Sequence, residues 1–205
     1  MPHRPALLVE LLALFGIATT HVPSASAALI AVDLFTAGDG LITRDTETGL
    51  DWLDLTATLN LSYNDIEADV GGWISLGIRH ATGSEVCGLF VHALAPAPCP
   101  SATSASGSGN LVATLQGFVG ITDSGVRAIA SNGMFDDGEP SDGVGYGQVG
   151  YSVLSMSSQS SVRENQVFAA SASGYVGHWL VRPVPEPSTG LLLAAGLAAF
   201  AVRRR

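Results

Sequence analysis

Residues 126–156 read VRAIASNGMFDDGEPSDGVGYGQVGYSVLSM. Two strand-forming runs, 126–135 and 144–156, flank a stretch dominated by Asp and Gly, whose short polar side chains and permissive backbone suit a tight turn. This spacing predicts an antiparallel hairpin. The runs VRENQVFAASA (162–172) and GYVGHWLVRPV (174–184) follow at similar intervals, separated by Gly, Ser and Asp, so the second half of the chain reads as antiparallel sheet.

Upstream the pattern is helical. Ser62 with Asp65 forms a capping box, and Leu61 with Ile66 occupies the staple positions around it; a short helix from Tyr63 to about Val70 is expected, stopped by Gly71-Gly72. Thr82 with Glu85 opens a second helix whose Val86, Leu89, Phe90, Ala93 and Leu94 recur at helical spacing. NLVATLQGFVG (110–120) is a third short helix, while PAPCPSATSASGSG (96–109) reads as an exposed loop. An opening edge strand lies near residues 28–41, with a turn at 37–40. Leu50, Trp52, Leu53 and Leu55 form an apolar knot where the core begins. Short helices in the first half packed on an antiparallel sheet formed mostly by the second half make an α+β domain.

Both ends are set aside from the fold. Residues 1–27 carry Arg4, an apolar stretch around Leu11–Ala18 and small residues closing on Ala27; this is the order of a secretory signal peptide cleaved after Ala27, which implies the Sec translocon and signal peptidase as partners. Residues 185–205 are Pro185-Glu186-Pro187, an apolar run and three arginines. Between them, residues 28–184 suffice for a single extracellular domain. This body holds 16 of the 18 carboxylates against five arginines and no lysine. Such acidity repels nucleic acid and anionic lipid.

Chemistry-bearing groups are sparse. Cys87 and Cys99 bracket a short Pro-rich loop and are expected to form a disulfide in an exported chain. The turn FDDGEPSDG offers Asp136, Asp137, Glu139 and Asp142 as oxygen ligands for calcium, with a solvated turn as the alternative. Trp52 and Trp179 are expected in the core; Trp73, after two glycines, is the one most available for stacking on a glycan. His80, His92 and His178 show no metal-binding spacing. Asp51 with Asp54, and Asp65 with Glu67, are the nearest candidates for a hydrolase pair. No serine sits in a nucleophile elbow and no Gly-rich phosphate loop is present, so no catalytic activity is expected.

The C-terminal VPEPSTGLLLAAGLAAFAVRRR resembles a PEP-CTERM sorting signal at Pro185, Glu186 and Pro187, with Gly190–Val202 and Arg203–Arg205 following. The resemblance implies export across the inner membrane of a Gram-negative bacterium, transient inner-membrane anchoring by the tail, cutting near Pro-Glu-Pro by an exosortase, and arrival at the cell surface or exterior. It also implies association with exopolysaccharide and biofilm. The fourteen residues Thr189–Val202 make roughly 21 Å of helix, short of a ~30 Å hydrocarbon core, which suits a brief anchor. The body is similar to a recurrent type of PEP-CTERM protein body. Its TGLDW (48–52) and GIRHATGSEV (77–86) resemble C-type-lectin-like modules, with Ala81 in place of a proline. Besides a matrix component, the alternatives are a calcium-assisted glycan-binding module and a secreted polysaccharide hydrolase.

Overall fold

A computed structural model describes residues 28–94, 101–104, 109–138, 143–154 and 157–184. The expected signal segment with Ala27, the tail from Pro185 with the apolar helix expected there, and Cys99, Glu139 and Asp142 lie outside these residues. Among the described residues no helix is long and apolar enough to cross a membrane.

The chain opens with three strands, β1 (Leu29–Val32), β2 (Ile42–Asp45) and β3 (Leu50–Leu53), then a 3-10 turn at Leu55–Thr58 and α1 (Tyr63–Glu67). A second 3-10 turn (Ile74–Leu76), β4 (Arg79–His80), α2 (Gly83–Leu94), β5 (Ser101–Ser104) and α3 (Gly109–Val119) follow. The remainder is β6 (Asp123–Ser124), β7 (Ala128–Phe135), β8 (Val144–Ser152), β9 (Ser157–Val167), β10 (Gly177–His178) and β11 (Leu180–Pro183).

Both capping boxes form. Ser62 Oγ accepts from the Asp65 amide at 3.1 Å while the Ser62 amide donates to Asp65 Oδ2 at 2.9 Å, and Thr82 with Glu85 repeats the exchange. α1 ends earlier than expected, at Glu67, because Asp69, Gly71 and Gly72 all adopt positive φ. The predicted hairpin is present: β7 and β8 pair antiparallel from Ala128↔Ser152 to Phe135↔Gly145, and β9 continues the meander.

Two expectations are corrected. There are two sheets, and the first half of the chain builds most of one: the five-stranded order is β1-β2-β3-β11-β4, antiparallel throughout. The six-stranded sheet runs β10-β7-β8-β9-β5, with β6 on β7 and β10 parallel to β7. Short, half-polar strands such as ITRD and LDWL carry too little alternation to separate them from turns. Secondly, the stretch read as an exposed loop contains β5, which pairs with the β9 serines from Ser101↔Ser161 to Ser104↔Ser158. A Ser-rich edge strand is held by backbone hydrogen bonds that hydropathy does not register.

Trp179 alone separates β10 from β11, so residues 177–183 step from the second sheet into the first. On β3 and β11 successive side chains face opposite sides. Trp52 and Val181 enter a core with Leu89, Phe90, Leu115, Val149 and Trp179 beneath α2 and α3; Leu53 and Leu180 enter a second core with Ile42, Ile66, Trp73 and Ile78. The fold is therefore mixed, with strands outweighing three short helices.

Both ends of the body meet at one pole. The Thr46 amide donates to the Ala28 carbonyl at 3.1 Å and the Val184 amide to the Gly49 carbonyl at 2.8 Å, so residues 28 and 184 are tied to the same β2–β3 turn. The C-terminal end of α2 lies at this pole through His92, and its N-terminus is about 18 Å away by helical rise.

Candidate functional site

At the far end of α2 an open cleft of about 640 Å³ lies between Thr82, Gly83 and Ser84 on one side and Asp136, Asp137 and Glu164 on the other, over Phe135 and Val162. Its volume falls in the ~300–1,000 Å³ range of small-ligand sites. The turn is held to the helix start by the Asp136 amide, which donates to the Ala81 carbonyl at 2.9 Å. Asp136 Oδ1 accepts the Gly138 amide at 2.8 Å, and Asp137 Oδ2 accepts the Asn165 amide at 2.9 Å. Each carboxylate thus already organises the loop. Of the four expected calcium ligands, Asp136 and Asp137 come together here; among the described residues no group of three or more His, Cys, Asp or Glu could hold a metal.

Trp73 is a correction. It is 8 % exposed and belongs to the second core, where its ring lies 6.3 Å from Phe35; the face that stacking on a glycan requires is covered by apolar neighbours. Cys87 is half-buried on α2, and no free cysteine occurs among the described residues.

The carboxylates paired on sequence grounds are each engaged elsewhere. Asp51 is buried and bound by Arg44 at 2.7 Å and Arg182 at 3.4 Å. Asp54 accepts the Thr56 amide at 2.8 Å and caps a 3-10 turn, and Asp65 caps α1. Glu85 receives both Arg79 nitrogens, at 2.7 and 2.9 Å; that guanidinium, offset in part by burial and aided by the Thr82 amide, holds its carboxyl below the usual range.

Sequence reasoning misses a buried histidine pair. His80 on β4 and His178 on β10 are 98 residues apart, yet the seam between the sheets brings His80 Nε2 within 3.1 Å of His178 Nδ1. Glu67 Oε1 lies 2.8 Å from His80 Nδ1, and Tyr63 stacks on the His80 ring at 4.0 Å. Burial pushes both imidazoles down to about 4, with Asp136 pulling partly the other way at His80. The Leu61 carbonyl and Asp65 likewise pull His178 upward, while His80 adds to its lowering. Desolvation, then the negative charges of Asp136, Glu67 and Asp137, raises the Tyr63 phenol. No local motif announces such a pair, because only the β10–β11 crossing juxtaposes it.

His92 joins a second arrangement. Its Nδ1 lies 2.8 Å from Asp45 Oδ2 and its Nε2 3.4 Å from Glu47 Oε1, tying the end of α2 to the β2–β3 turn.

Residues 183–205 match the PEP-CTERM protein-sorting motif. The match begins where β11 ends, at Pro183. No curated protein and no solved structure matches the chain, so lectin-like topology gains no support. The motif indicates a protein sorted by an exosortase towards the cell surface or exterior.

Proposed function

We propose that this chain is an exported cell-surface or extracellular-matrix protein, associated with exopolysaccharide and biofilm, delivered through Pro185-Glu186-Pro187 and without catalytic activity of its own. The observation that carries the reading is the junction at Pro183. The last strand, β11, sits between β3 and β4 in the first sheet and ends at Pro183, ahead of Pro185-Glu186-Pro187, so cutting near Pro185 leaves every described element in place. Residues 28 and 184 share one pole, so a signal segment and a tail anchored in the inner membrane during export would hold that pole there and leave the cleft facing outward. Of the carboxylates paired on sequence grounds, Asp51 is committed to arginines, Asp54 and Asp65 to helix caps and Glu67 to His80, which supports a non-catalytic body.

The test is export in a host that carries the exosortase. Replacement of Pro185-Glu186-Pro187 by alanines should leave the protein in the inner-membrane fraction while the unaltered chain reaches the exterior; equal release of both would defeat the reading.

The outward cleft favours a second reading, a calcium-assisted glycan-binding module. Asp136 and Asp137 would contribute ligands there, and calcium would add stability by mass action on the folded state. Calcium should then raise the melting temperature, and Asp137→Ala should abolish the rise.

A further inference from the structure

Three polar contacts run in line through the seam between the sheets: Glu67 Oε1 to His80 Nδ1 at 2.8 Å, His80 Nε2 to His178 Nδ1 at 3.1 Å, and His178 Nε2 to the Leu61 carbonyl oxygen at 3.0 Å. We propose that Glu67, His80 and His178 form a single-proton receptor, which takes up one proton as a unit to complete all three hydrogen bonds and resists a second.

The inference follows from counting protons. A hydrogen bond needs one proton per contact, and a carbonyl oxygen only accepts, so the Leu61 contact requires a proton on His178 Nε2. Two neutral rings beside an ionised carboxylate carry two protons for three contacts, leaving one pair of lone pairs facing each other. One further proton fills every contact at zero net charge. It rests as imidazolium on either ring, opposite the ionised Glu67, or on the carboxyl with both rings neutral. Another proton has only poor places. On the second ring it sets two N–H groups against each other across 3.1 Å; on the second oxygen of Glu67 it leaves a buried imidazolium without its counter-charge. The protons therefore belong to the group rather than to either ring.

The surroundings favour the first proton and oppose the second. On α1, Asp65 acts on His178, Glu67 binds His80 and Tyr63 covers the His80 ring. From the end of β7, Asp136 acts on His80. The 3-10 turn contributes Thr58 Oγ1, which accepts the His178 amide at 2.9 Å, and no charge. The nearest guanidinium in sequence, Arg79, is turned to Glu85 and the His80 carbonyl. Carboxylates thus supply the field, while His80 at 4 % exposure and His178 at 0 % are too dry to hold two positive charges. Solvent reaches the unit through Glu67, whose side chain is 52 % exposed. The singly loaded form ties α1 to β4 and β10, and a second proton loosens that tie.

The test is ring-nitrogen NMR of the full chain labelled with 15N-histidine, followed from about pH 8 to about pH 3. His80 and His178 should titrate in two separate steps, the first sensed by both rings. Glu67→Gln keeps an acceptor but removes the counter-charge, and its exposure lets the variant fold; it should weaken the first proton uptake about tenfold, moving that step to lower pH. A single two-proton step in the unaltered chain, or a first step that Glu67→Gln leaves in place, would overturn the proposal. Either result bears on the body alone and leaves the sorting reading untouched.

Discussion

Gly147 lies on β8 under the Trp179 indole, and a Cβ built there meets Trp179 Nε1 at 2.5 Å and Val86 at 3.1 Å. Gly133, on the neighbouring strand, would strike the same indole at 2.8 Å. These glycines are room for a tryptophan, whose Nε1–H donates to the Gly147 carbonyl at 3.0 Å and whose ring meets Trp52 edge-on at 6.2 Å. Gly147→Ala should therefore cost about 1–3 kcal/mol, as overpacking does, and lower the urea midpoint. Gly88 and Gly117 form the contrast: both are on helices with nothing within 4 Å of an added Cβ. There Ala should be neutral or add about 0.5–1 kcal/mol through helix propensity and lost unfolded-state freedom. If all three substitutions behaved alike, the steric account of β8 would fail.

Elements are joined by polar pairs as much as by apolar faces. Burial disfavours the Asp45 carboxylate, but His92 and the backbone amides of Glu47 and Thr48, with the Thr48 side chain, more than offset it, so its pKa lies below the usual value. His92→Ala should cost about 1–3 kcal/mol, because Asp45 at 0 % exposure loses a partner it cannot replace with water; equilibrium unfolding checks this. The histidine seam gives a pH dependence with a definite sign. Free imidazoles bind protons near 6.5, whereas burial lowers both rings in the folded chain and the pair resists its second proton. The unfolded state therefore binds more protons below about pH 6.5, and stability should be full above about pH 6.5 and fall by a few kcal/mol as pH drops towards 4. An unfolding midpoint that stays level across that window would contradict the placement of the rings. At this scale the sequence is legible where chemistry is local. The boxes Ser62–Asp65 and Thr82–Glu85, the helical face of Val86, Leu89 and Phe90, and the β7–β8 hairpin around the acidic turn are read directly from spacing. The closure of the first sheet by β11, the edge strand β5 and the approach of His80 to His178 are not, because each depends on backbone pairing between segments far apart in sequence. Trp73 shows the limit for single residues: flanking glycines suggest freedom, yet they shape a turn that folds the indole inward.

Across the whole molecule, the sorting motif and the fold fit at one junction. The strand that ends the body is an interior strand of the first sheet, flanked by β3 and β4, so premature cutting after Trp179 would remove Leu180 and Val181 from two cores at once. Processing beyond Val184 leaves every described element intact. Shortening the chain to residue 184 should leave its melting temperature unchanged, whereas ending it at Trp179 should abolish cooperative unfolding. On the proposed reading, the shared pole of residues 28 and 184 would let a chain held at both ends finish folding before release. The measurement that bears most directly on this account is the intact mass of the protein recovered from outside an exosortase-bearing host. A mature chain that begins at Ala28 and ends near Pro185-Glu186-Pro187 is predicted; an extracellular chain that retains residues 191–205 would contradict it and make the tail a permanent anchor.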